Sequence, residues 1–155
     1  MFSLIITIIS IALVAALAVA SVYYGGAQFS QGTAKAQAAT LVSQAQQIAG
    51  ANTLYANDNG GTLATDVEAD LVAGGYLSGV PAVNDKVRAT GAKWDLSGRM
   101  VLLDLNDNAT EVAAKVDEQA GFSGTRPADV AEAEAAAHQF GIIDDNGDLV
   151  FFYKG

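Results

Sequence analysis

Residues 1–26 read MFSLIITIISIALVAALAVASVYYGG. Between Leu4 and Val22 only Thr7, Ser10 and Ser21 are not aliphatic, and no charged residue occurs before Lys35. At ~1.5 Å rise per residue a helix of this run extends about 28 Å, close to the ~30 Å hydrocarbon core of a bilayer. Three roles compete for such a segment: an export signal, a membrane anchor, or a helix that packs against copies of itself. Ala18-Val19-Ala20 before Ser21 has the small-residue pattern of a cleavage site, but an export signal opens on a basic stretch that is missing here. The segment therefore reads as the start of a mature chain whose basic leader has been removed.

Its internal pattern favours packing. Ala12, Ala16 and Ala20 recur every four residues with Ala15 beside them, a small-xxx-small stripe that lets helix backbones approach closely. Ser3, Thr7 and Ser10 mark another face. Each of these hydroxyls can return its hydrogen bond to a carbonyl of the preceding turn or reach across to a neighbouring helix, so the three cost little in a dry setting.

Beyond this segment the chain changes character. The net charge of -9 lies entirely from Lys35 onward, so the remainder is an acidic head. Such a surface repels phosphate backbones, and without a basic patch nucleic acid is excluded as a partner. With no Cys, neither a disulfide nor a thiolate metal site can form. Gly25, Gly26 and Gly32 fall close together, and each costs a helix roughly 1 kcal/mol relative to Ala, so helicity should weaken there. Ala34, Ala38, Leu41, Ala45, Ile48, Asn52 and Tyr55 then form a 3-4-3-4 repeat, one apolar stripe along a helix. These readings give one long helix from near Ser3 to near Ala56, with an apolar segment at 1–25 and a head at 26–155 that includes the amphipathic second half.

The head reads as α+β. Asn57-Asp58-Asn59-Gly60-Gly61 ends the long helix. Thr65 and Glu68 stand in capping-box spacing before a short helix that Gly74-Gly75 should close. AKWDL and RMVLLDL around Ser97-Gly98 predict a hairpin. Asn108 and Glu111 again have capping-box spacing, opening ATEVAAKVDEQA as a helix to Gly121. Pro127 suits the first position of a helix over PADVAEAEAAAHQ. FGIIDDNGDLVFFYKG turns on Asn146-Gly147, the strongest hairpin signal in the chain. The sum is a helical spine, an antiparallel sheet of about four strands, and small helices between them.

Signs of catalysis are weak. His138 is the only histidine, and Ser78, Ser97 and Ser123 lie in no nucleophile elbow; the chain is expected to be no enzyme and to require no cofactor. Asp144, Asp145 and Asp148 could offer hard oxygen ligands to Ca²⁺, but an acidic Asn-Gly turn accounts for them without a metal. Asn108-Ala109-Thr110 matches a glycosylation acceptor by pattern, while an N-cap role already accounts for Asn108. Tyr23 and Tyr24 stand where the apolar run ends, as interfacial anchors do.

The order of these parts, with ATLVSQAQQIAGANTLYANDNGG (39–61) as the end of a spine and LVAGGYLSGVPAV (71–83) as the loop beyond it, resembles the type IV pilins and their pseudopilin relatives. Met1 would suit the type IVb branch. The resemblance implies a helical homopolymer, an extracellular pilus filament whose core is built from N-terminal helices. It also implies an inner-membrane stage before assembly and a dedicated assembly machinery. Two positions depart from the family. Ile5 stands where a mature pilin usually carries glutamate, and the family's C-terminal disulfide is missing, so packing must hold the segment between Asp104 and Phe140. Alternatives to a major pilin are a pseudopilin of a secretion system and a membrane-anchored or exported ligand-binding domain.

Overall fold

The computed structural model describes residues 2–155, the side chains of residues 26 and 27 excepted. Met1, which would suit the type IVb branch, lies outside the described residues. The chain divides into two units, Met1–Thr33 and Ala34–Gly155, and helix α1 (Phe2–Asp58) contributes to both.

In the second unit the spine follows its periodicity residue by residue. Ala34, Ala38, Leu41, Ala45, Ile48 and Asn52 are all buried and Tyr55 is half-buried. Asn52 is the polar member of this stripe and is fully used: its amide nitrogen donates to the carbonyl of Gly98, and its Oδ1 accepts from the N–H of buried Ala64. It ties the spine to the first hairpin turn and to the loop after α1. Asn52→Leu, similar in size, leaves the N–H of buried Ala64 unpaired at roughly 1–3 kcal/mol and removes the bond to the exposed Gly98 turn, so the urea midpoint of the detergent-solubilised protein should fall clearly. An unchanged midpoint would show that water satisfies the Ala64 N–H.

The helix ends as its turn residues dictate. Gly60 and Gly61 take positive φ, and the N–H of Gly61 donates to Ala56 O at 2.7 Å. A π-type turn follows at Val67–Val72, capped by Asp66 rather than Thr65. The cap moves on by one residue and its acidic partner by two: Asp66 Oδ1 accepts from the N–H groups of Glu68 and Ala69, while Asp70 Oδ2 accepts from those of Thr65 and Asp66. Asp reaches these donors with a shorter side chain than the Glu that spacing alone had favoured.

Four strands, β1 (Asp95–Ser97), β2 (Met100–Asp104), β3 (Phe140–Asp145) and β4 (Asp148–Lys154), form one antiparallel sheet in the order β1-β2-β4-β3. Positive φ at both Asn146 and Gly147 matches the right-handed twist of β3 and β4. β1 is shorter than AKWDL suggested. Trp94 leaves the ladder to donate its indole N–H to Pro81 O and to meet Phe151 edge-on at 6.3 Å. Alternation along the strands produces two cores. Val101, Leu103, Ile142, Phe151 and Tyr153 join the spine residues in the larger one, whereas Met100, Ile143 and Phe152 face the other way, against Ala133.

Two helix starts differ from expectation. Asn106, not Asn108, caps a 3-10 turn at Asp107–Ala109, and α2 (Thr110–Ala120) follows without a side-chain cap of its own. Asn106 lies two residues before the N–H it accepts from, the spacing of an Asx turn. α3 (Val130–Ala135) begins after Asp129, whose carboxylate accepts from Glu132 N–H, so Pro127 precedes the helix. His138 lies beyond α3 and packs its ring against Phe122 at 4.8 Å. The architecture is thus α+β: a long N-terminal helix, apolar in its first part, whose later part packs on a four-stranded antiparallel sheet with small helices.

Candidate functional site

The first unit presents the most unusual surface of the molecule. From Phe2 to Val22 every large apolar side chain is at least half exposed, at 51–84%. This is the one described helix long and apolar enough to cross a membrane, with a mean hydropathy of 2.8 over its best window. Two of its hydroxyls are neutralised locally: Thr7 Oγ1 donates to Ser3 O and Ser10 Oγ to Ile6 O at 2.8 Å. That face therefore offers methyl and methylene groups more than hydrogen-bonding ones. Ala12, Ala16 and Ala20 are exposed along one helix face, and Ser3, Thr7 and Ser10 lie on the other side.

α1 runs unbroken through Gly25, Gly26 and Gly32. At Gly25 and Gly32 an added Cβ would meet nothing within 4 Å. Neither is demanded by a close approach within the chain. Tyr23 and Tyr24 pack edge to face at 5.7 Å. Phe29, 81% exposed, extends the aromatic group past the apolar run. Sequence reasoning passed over Phe29 because it stands among Gly, Gln and Ser; its position seven residues after Val22, on the same helix face, was the available signal.

In the head, the expected packing of residues 104–140 is supplemented by an ionic clamp. Val112, Ala113 and Val116 bury one face of α2. Arg126 Nε donates to Asp117 at 2.8 Å, and its Nη1 lies 3.8 Å from Asp144. The N–H of Asp144 also donates to Pro127 O. No sequence pattern pairs residues in this way across a loop. Lys154 donates to the carbonyls of Glu134 and Ala136, holding the end of α3 to β4.

Burial raises the Asp117 carboxyl above its ordinary 3.8, against the hydrogen bond and charge of Arg126. The folded chain therefore holds this proton more tightly than the unfolded one. The contribution to stability is fully present below 3.8 and is lost as pH rises through the raised value. Urea unfolding of Asp117→Asn across acid pH should lack that downward step, and a difference curve against the unmodified protein that stays flat would refute the assignment. Asp70 has the opposite sign: N–H donors of Thr65 and Asp66 lower its pKa, so its contribution is lost as pH falls.

The three carboxylates of the last hairpin are engaged separately. Asp144 accepts from Gly147 N–H and faces Arg126, Asp145 accepts from the Asn146 amide, and Asp148 is the register partner of Asp145. Among the described residues no group of three or more His, Cys, Asp or Glu is placed to hold a metal ion. Ser78, Ser97 and Ser123 are exposed, and none is hydrogen-bonded to His138 among the described residues. A cleft of about 270 Å³ between the end of α1 and the β1–β2 turn is lined by Asn52, Thr53, Asn57, Leu63 and Arg99, with no carboxylate or imidazole side chain in its wall.

Comparison with family models, with curated proteins and with solved structures returned no match. The likeness to pilins is one of architecture: a long helix with an apolar first part, followed by a small antiparallel sheet.

Proposed function

We propose that this chain is the structural subunit of an extracellular type IV pilus-like filament, stored in the inner membrane before assembly and polymerised by bundling its N-terminal helices. The observation that carries the reading is the exposure of every large apolar side chain from Phe2 to Val22 on a helix whose later residues are the spine of an acidic head. In a membrane, lipid covers that surface; outside it, only other such helices can. Burial contributes about 1.5–3 kcal/mol per large aliphatic side chain. Head-to-tail contacts that do not close into a ring extend as a helical fibre, and the charged heads coat it. The role is structural rather than enzymatic, and the partner is the chain itself, delivered by a pilus assembly machinery.

The test is to shear surface material from the producing cells, pellet it and sequence the chain's N-terminal peptide by mass spectrometry. The reading expects the chain in the pellet with residues 2–22 intact. Recovery only as a soluble chain beginning at Ser21 would make the segment a signal; recovery only in the periplasm would indicate the piston of a secretion machine.

Two further outcomes follow. With Ile5 in place of the usual carboxylate, assembly should depend little on an N-terminal ion pair. Ile5→Ala should then lower filament yield only modestly and independently of salt; a strongly salt-dependent loss would count against this. The three glycines supply a stretch of weak helical preference, at roughly 1 kcal/mol each relative to Ala, which can lengthen as a subunit enters the bundle. Replacing Gly25, Gly26 and Gly32 together with Ala should make this stretch of α1 more resistant to thermal unwinding in isolated subunits yet impair assembly or make the filament less extensible. Continuous i to i+4 hydrogen bonding through residues 22–33 in a filament map would remove the reason for them.

A further inference from the structure

Asn108 is the only asparagine in the chain followed two positions later by Ser or Thr, and the residue between is Ala109, not proline. A capping duty for Asn108 would have made that pattern incidental, but Asn106 performs the capping. The N–H of Asn108 donates to Asn106 Oδ1 at 3.0 Å. The Asn108 amide itself forms no hydrogen bond among the described residues, nor does the Thr110 hydroxyl, and both side chains are exposed. A polar side chain freed from the local backbone, with a free hydroxyl two residues on, has the composition of an N-glycan acceptor in an exported protein.

We propose that Asn108 carries an N-linked glycan, attached while the head faces the non-cytoplasmic side of the membrane; this rests on the export implied by the filament reading. In the transfer, Nδ2 of Asn108 attacks the anomeric carbon of a sugar carried on a polyprenyl phosphate or diphosphate. The new C1–N bond forms as the C1–O bond to phosphate breaks, with its electron pair leaving on the phosphate oxygen. The displaced Nδ2 proton passes to a carboxylate of the membrane transferase. The local fold permits access. Residues 107–109 form a single 3-10 turn, and α2 begins without a side-chain cap. Unwinding this stretch withdraws only the Ala109 methyl from the core, while Val112, Ala113 and Val116 continue to anchor α2.

The experiment is mass spectrometry of the protein isolated from the cells that make it. Trypsin, cutting after Arg99 and Lys115, releases residues 100–115 as one peptide. The expected result is a glycan-sized mass increase on this peptide, localised to Asn108 by fragmentation, and an intact mass above the 15.9 kDa of the chain. Asn108→Gln and Thr110→Ala should each abolish the added mass, whereas Thr110→Ser and Asn106→Gln should retain it. A bare peptide from the native protein, or added mass that survives Thr110→Ala, overturns the proposal. Filaments with a bare peptide reject the glycan alone, and a glycosylated chain that never enters the sheared filament fraction rejects only the filament.

Discussion

Ala16→Phe is expected to abolish filaments while leaving the protein in the membrane. Ala12, Ala16 and Ala20 lie along one face of α1 with nothing from their own chain over them, and a bundle uses such a face to bring helix backbones together. A phenyl ring at its centre forces neighbouring helices apart along the stripe. The van der Waals contacts that hold apolar helices together fall off steeply with separation. Membrane insertion depends on hydropathy, which Phe preserves. The expected outcome is loss of sheared filaments with an unchanged amount of chain in the membrane fraction. Filament yield equal to the unmodified protein would show that the stripe is incidental, and loss from both fractions would point to a folding or insertion defect.

The second large effect lies in the head. Phe151 is fully buried in β4, beneath Trp94 and in the core that includes the α1 stripe. Phe→Ala at such a site removes a fully buried aromatic ring from the core and leaves a cavity that the sheet cannot close, at about 3–5 kcal/mol. Against a total of about 5–15 kcal/mol for a domain of this kind, the loss is a large fraction of stability. Urea unfolding of the detergent-solubilised full chain, followed by far-ultraviolet circular dichroism, should show it as a large drop in midpoint. A cost below about 1 kcal/mol would contradict the placement of Phe151 in the main core.

Much of this architecture was legible before any coordinates. The stripe from Ala34 to Asn52 was readable because a single helical period separates one buried face from the rest over five turns, and no competing pattern intervenes. The Asn146-Gly147 hairpin was readable because positive φ at two adjacent positions restricts which residues can stand there. Helix starts were less so. Thr65 and Asn108 each satisfied the capping rule, yet Asp66 and Asn106 cap in their place, and the helix expected to open at Pro127 opens after Asp129. Several residues close together can all accept from free N–H groups, and tertiary packing of the following turn selects among them. The Arg126 clamp was invisible because its partners, Asp117 and Asp144, are brought together only by the fold. The apolar helix is the reverse case: its composition was unmistakable, while what covers it is decided outside the single chain.

Electron cryomicroscopy of surface filaments, at a resolution that identifies side chains, tests that covering most directly. The account predicts a central bundle of helices built from residues 2–22 of many copies, with Ala12, Ala16 and Ala20 at the closest backbone approaches and the acidic heads outermost. Filaments built from a different chain, or a bundle in which this segment is missing and the head begins at Ser21, would contradict it.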